Sequence, residues 1–197
     1  MANHLRNLIE TIETGEVLFS SETSSGWHRF APDFAREFSK TAICFDAGYV
    51  DSIYGLKVIP ELARLPYQEC WIEFETNENL ICGLLKAGDD ASVGGHIWTK
   101  DKATKDWMFR CAFLCGTGDD QTKIQAVKRE EEIAQMTEVI AAFRCFLSVL
   151  NCTNVRKVQN HPDAKLQKAR QKRGKQPLFS FWTLELDMDA VESSAPA

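Results

Sequence analysis

The residues best equipped for chemistry stand in one basic run, "HPDAKLQKARQKRGKQPLFSFWTLEL" (161–186). Read as a helix over 162–173, it sets Lys165, Lys168 and Lys172 on one cationic ridge, with Arg170 and Arg173 on a second ridge beside it. Lys175, beyond Gly174, prolongs the strip, and Arg156 and Lys157 extend it upstream. Such groups exchange no proton near neutral pH; their chemistry is anion binding. A nucleic-acid backbone fits, because every phosphate contacted releases counterions, with Arg offering bidentate contacts and Lys point charges. Two other destinations are open: the chain's own carboxylates, such as Glu130, Glu131 and Glu132 or Glu69 to Glu75, or plain solvent. In the helical reading Leu166 and Ala169 form a narrow apolar seam that docks the segment, with Phe179 as a second anchor.

Other constellations are weaker. In "ECWIEFET" (69–76), Cys70, Ile72 and Phe74 alternate with Glu69, Trp71, Glu73 and Glu75, the period of a half-buried strand. With Asp46, the glutamates are hard oxygen ligands of the kind metal-dependent nucleases use. The plainer expectation is a wet strand face with Trp71 partly covered among the acids. Cys111 and Cys115 on one strand are separated by ~13 Å, and Cys145 and Cys152 on a helix by roughly 10 Å, so neither pair bridges directly. The four histidines make no zinc spacing with the cysteines. Gly116-Thr117-Gly118-Asp119-Asp120 ends in acids that repel phosphate and suits a hairpin turn. No motif implies a cofactor, and no thiol stands out as the nucleophile of a Cys-His pair.

The elements that must position the basic run are legible from periodicity. In "KREEEIAQMTEVIAAFRCFLSVLN" (128–151), Ile133, Met136, Ile140, Phe143, Leu147 and Leu150 form a continuous stripe widened by Val139, Ala142, Phe146 and Val149. Three glutamates in its first turns favour the helix dipole. This is the expected core helix. Leu5, Leu8, Ile9 and Ile12 predict a short N-terminal helix, and Pro32 with Phe34 and Phe38 another. "TAICF" (41–45) predicts a strand, and 69–76, 79–88, 95–100 and 106–116 a meander of roughly four strands joined by short turns. "NVRKV" (154–158) and "LFSFWTLELD" (178–187) predict strands flanking the basic helix. That helix starts at Pro162, capped by Asn160 or His161, and stops at Gly174 and Pro177. The fold class expected is α+β: a single domain over 1–187, an antiparallel sheet against the long helix, then a disordered tail over 188–197.

Charge sharpens the contrast. Residues 156–175 hold eight Lys/Arg and one acid, a surplus of +7, while the other 15 basic and 27 acidic residues leave −12. Such segregation orients a protein on a polyanion, or folds one part of it onto another. A hydrophobic share of 44% without a run of eighteen apolar residues argues against a membrane span, and an odd seven cysteines, with apolar or aromatic neighbours at Cys44, Cys70, Cys82, Cys111, Cys145 and Cys152, suit reduced, buried thiols. A cytoplasmic location follows as the expectation.

"AKLQKARQKRGKQPLFSFWTLEL" (164–186) resembles a C-terminal signature of small, uncharacterised proteins of tailed bacteriophages: Lys-Leu-Asn, basic residues, Gly-Lys-Pro-Pro-Leu, then an aromatic-rich strand. "LPYQECWIEFE" (65–75) resembles another segment of that group. Gln167 stands in place of the usual Asn and Gln176 in place of the usual Pro. The resemblance implies a viral protein of the host cytoplasm with an α+β domain, and supplies no activity. Taken together, the expectation is a non-enzymatic binding protein that meets DNA or RNA phosphates through Lys165, Lys168, Arg170, Lys172, Arg173 and Lys175. The alternative is a small acidic regulator that grips a host protein; a metal-dependent nuclease stands third. A homo-oligomer is compatible with either binding role.

Overall fold

The apolar stripe of 130–150 and the alternating strands of the middle section find each other as their patterns require. In the computed structural model, residues 4–20, 27–29, 43–50, 58–88, 92–116, 122–125, 130–174 and 180–186 are described. In chain order the elements are α1 (His4–Glu13), β1 (Leu18–Ser20), β2 (Trp27–Arg29), β3 (Cys44–Tyr49), β4 (Glu69–Glu75), β5 (Asn79–Ala87), β6 (Val93–Asp101), β7 (Trp107–Cys115) and β8 (Thr122–Gln125). Then follow α2 (Glu130–Leu150), β9 (Val155–Asn160), α3 (Ala164–Lys172) and β10 (Phe181–Leu186). The helix expected around Pro32 and the tail over 188–197 lie outside the described residues.

These strands make one sheet in the order β2-β1-β7-β6-β5-β4-β3-β10-β9, with β8 also on β7. The expected meander is its centre: β4 to β7 pair antiparallel in sequence order. Its flanks make the sheet mixed, because β3 runs parallel to both β4 and β10, and β1 parallel to β7. The C-terminal strand β10 therefore lies inside the sheet, and β9 forms its edge.

Helices cover both faces, giving three layers. On one face α2 sets Met136, Val139, Ile140, Phe143, Leu147 and Leu150 against Ile72, Phe74, Ile81, Leu85, Ile97 and Phe113. Phe143 seats edge-on to Phe74 at 5.2 Å, over Gly83, where a Cβ would come within 2.5 Å of the ring. The stripe is narrower than its period suggests: Ile133 and Val149 are exposed. Although α2 is long and apolar enough to cross a membrane, its apolar side is the side packed on the sheet.

On the other face α1 buries Leu5, Leu8, Ile9 and Ile12 against Cys44, Trp71, Cys82, Leu84, Trp98 and Trp107. Asn7 fixes its position, accepting hydrogen bonds from Trp107 Nε1 at 2.9 Å and Lys100 Nζ at 2.7 Å. This second layer corrects the reading of β4. Trp71 is fully buried, its ring 5.4 Å from that of Trp98 and tilted 41° to it, and Glu73 is only 2% exposed. The face expected to be wet is a second core. A bulge helps build both: Trp98 pairs with Phe109 and Ile97 with Cys111, so Arg110 is the extra residue and β7 changes face there. Before it Trp107 and Phe109 face α1; after it Cys111, Phe113 and Cys115 face α2.

Candidate nucleic-acid interface

β9 and β10 pair along six residues from Phe181↔Asn160 to Leu186↔Val155, so everything between Asn160 and Phe181 is an excursion from the sheet edge. The basic helix α3 is that excursion. Its base is tied by His161 Nδ1 to Ser180 Oγ at 3.2 Å and by Asn160 Nδ2, which donates to Thr183 Oγ1 at 3.0 Å. Asp163 is the N-cap, its carboxylate accepting the Leu166 N–H at 2.8 Å, so the cap is neither Asn160 nor His161. At the far end Gly174, at φ +65°, takes the left-handed conformation that stops the helix, donating to the Gln171 carbonyl at 3.1 Å. The stop signal read from sequence is therefore in place.

One lateral contact sets how α3 lies. Arg170 Nη2 donates to Glu10 Oε1 of α1 at 2.7 Å, and its side chain is only 14% exposed. Gln167, one turn back on the same side, is half-buried. Leu166 is 51% exposed and Ala169 is exposed, so the apolar seam expected to dock the helix faces solvent instead. The helix docks by a polar side because the surface it meets, the outer side of α1, is polar.

The six cations of the strip thus separate. Lys165, Lys168 and Lys172 form the outward ridge, all exposed, and Arg173 flanks it beside Leu166. None of these four has a carboxylate partner among the described residues. Arg170 is withdrawn into the Glu10 contact, and Lys175 and Phe179 lie outside the described residues. Arg156 pairs with Glu185 across β9 and β10 at 2.8 Å, an exposed bridge that contributes little to stability. The intramolecular clamp weighed from sequence therefore exists in part: among the described residues it takes Arg170 of the helix and Arg156 of the sheet edge, and it uses Glu10 and Glu185, not Glu69 to Glu75 or Glu130 to Glu132.

No family model, curated protein or solved structure matches this chain.

The acids of β4 serve the fold. Glu69 pairs with Lys86 at 2.9 Å, and Glu75 with His4 at 2.7 Å and Lys102 at 3.1 Å. Burial works against ionisation of Glu75, but hydrogen bonds from His4 and Lys102 outweigh it and hold the carboxyl below its ordinary range. Glu73 caps α1 from beneath, accepting the Leu5 N–H at 2.6 Å and the His4 backbone N–H. Burial still pushes its carboxyl up to about 8, against the lowering by those two N–H groups, and neighbouring Asp46 and Glu75 add to the rise. No three His, Cys, Asp or Glu side chains among the described residues are placed to share a metal ion. Sequence reasoning missed Glu10 and the capping role of Glu73. A large aromatic, Trp71, amid the supposed wet face of β4 was the available signal for the latter.

Proposed function

We propose that the protein is a non-enzymatic nucleic-acid-binding protein that meets phosphates with Lys165, Lys168, Lys172 and Arg173 of the α3 excursion. The observation that carries this reading is the outward ridge: four cations without a carboxylate partner among the described residues, on a helix held at its base, cap and side. Crowded like charges at helical spacing cost a few tenths of a kcal/mol per pair, which an external polyanion recovers. Preorganisation favours that use, since the helix need not order on binding. The contacts are with the backbone and carry little sequence preference. The likeness of 65–75 and 164–186 to small tailed-bacteriophage proteins agrees with a compact viral binding protein.

The test is fluorescence anisotropy with labelled duplex DNA and single-stranded RNA over a salt series. Four phosphate contacts give a log–log slope of about −3.6 on duplex and about −2.8 on single strands. Reversing Lys165, Lys168 and Lys172 to Glu abolishes binding and leaves the thermal midpoint nearly unchanged, because all three are exposed. No binding by the wild type at low salt, or undiminished binding by the reversed chain, overturns the reading. A pull-down from host lysate with and without nuclease then separates a protein partner from nucleic acid.

A further inference from the structure

The basic helix touches the body along a single line. Gln167 and Arg170 are the half-buried residues of 164–173; the others are exposed, and no residue of the helix is buried. At ~100° per residue, Lys165 and Lys172 stand opposite that line, at the crest of the helix. Lys168 lies ~50° to one side of the crest, and Arg173, at the C-cap, ~90° to the other. Ala164 and Gln171 complete the Lys168 flank, Ala169 and Leu166 the Arg173 flank. The four cations thus spread over an arc of ~140° around the helix. A flat surface or a single strand lying along the crest meets only part of that arc.

We propose that α3 enters the major groove of B-form duplex DNA, its crest toward the groove floor and its flanking cations toward the two phosphate walls. This rests on the reading of α3 as a phosphate-binding helix and names the nucleic acid it takes. A helix with its side chains is about 10–12 Å across, and the B-form major groove is about 12 Å wide. Ala164 and Ala169 keep the two flanks thin enough for that fit. Lys168 and Arg173 meet opposite walls, while Lys165 and Lys172 reach the N7 and O6 acceptors that guanine presents on the floor. Lysine is a flexible point charge, so these contacts read sequence only loosely. The major groove of A-form duplex RNA is deep and narrow and admits no such helix. The acidic remainder of the chain repels the same backbone, which confines the contact to the outward side of α3.

The test compares a labelled 20-base-pair DNA duplex, the RNA duplex of the same sequence and the single DNA strand, all at low salt. The wild type binds the DNA duplex about 10-fold or more tightly than the RNA duplex. Ala164→Leu with Ala169→Leu thickens both flanks without touching a charge, at exposed positions where leucine suits a helix nearly as well as alanine. The double variant loses about 10-fold in affinity for the DNA duplex and keeps its affinity for the single strand. Dimethyl sulfate footprinting of the wild-type complex needs no variant: guanine N7, in the major groove, is protected, and adenine N3, in the minor groove, is not. Equal or tighter binding of the RNA duplex or single strand, undiminished DNA binding by the double variant, or unprotected guanine N7 overturns the groove. The reading of α3 as a phosphate-binding helix survives any of these. If the wild type binds none of the three nucleic acids, both fall together.

Discussion

Glu73 gives the sharpest physical prediction. Its carboxyl is 2% exposed and sits under the first turn of α1, where two backbone N–H groups favour the charged form and burial opposes it. Burial prevails, and the group titrates at about 8 instead of the ordinary 4.5. Because the folded-state value lies above the unfolded one, the folded chain keeps a proton that the unfolded chain has released. Stability from this group is therefore complete below about 4.5, falls as pH rises, and levels off past about 8. At ~1.4 kcal/mol per pH unit, the gap corresponds to a change on the order of 5 kcal/mol. Glu73→Gln is neutral at every pH, and its amide oxygen still accepts the Leu5 N–H. The assay is urea unfolding followed by fluorescence of the buried Trp71, Trp98 and Trp107, from about pH 5 to pH 9. Comparing variant with wild type cancels the titrating groups that do not interact with Glu73. The variant gains several kcal/mol on the wild type across that range. A difference that stays flat, or runs the other way, would show that the helix N-terminus outweighs burial and that Glu73 is an ordinary ionised cap.

Gly83→Ala drives a methyl to within 2.5 Å of the Phe143 ring and destabilises by about 1–3 kcal/mol; trimming Phe143 to Leu in the same chain recovers part of it, readable as coupling in a double-mutant cycle. Asp163→Ala removes the cap of an exposed helix and costs about 1 kcal/mol of local stability, seen as faster hydrogen exchange at Leu166 and weaker DNA binding with an unchanged global midpoint. Of the seven cysteines, only the half-buried Cys145 and Cys152 react quickly with a thiol reagent at about pH 8, because Cys44, Cys70, Cys82, Cys111 and Cys115 are buried and burial pushes Cys70 and Cys111 up to about 12. More than two fast thiols in the native protein would contradict that burial.

Local signals read well here where a single element decides them. The α2 stripe, the strands of the meander and the Gly174 stop each depend on a few neighbours in sequence, and each is found close to its expected place. What failed depends on contacts between distant segments. In "ECWIEFET" only Trp71 hints at a second covered face, and nothing names α1, more than fifty residues away, as its cover, so Glu73 reads as solvated when it is a buried cap. Likewise the period of α3 points Leu166 and Ala169 inward, yet the helix turns Arg170 and Gln167 to the body because Glu10 waits there. The parallel pairings of β3 were invisible for the same reason: strand order is a property of the assembled sheet, not of any strand. For the candidate interface, the exposed ridge of three lysines was legible and the division of the arginines was not.

The pairing of Asn160 with Phe181 has a consequence for how this protein can change. Both ends of the basic excursion are already adjacent on an antiparallel ladder at the sheet's rim, a distance that a tight two-residue hairpin spans unaided. None of the described residues between them belongs to either buried core. The scaffold and its cationic attachment are therefore separable inheritances. Changes among the described residues of this rim leave untouched the side chains that pack the layered body.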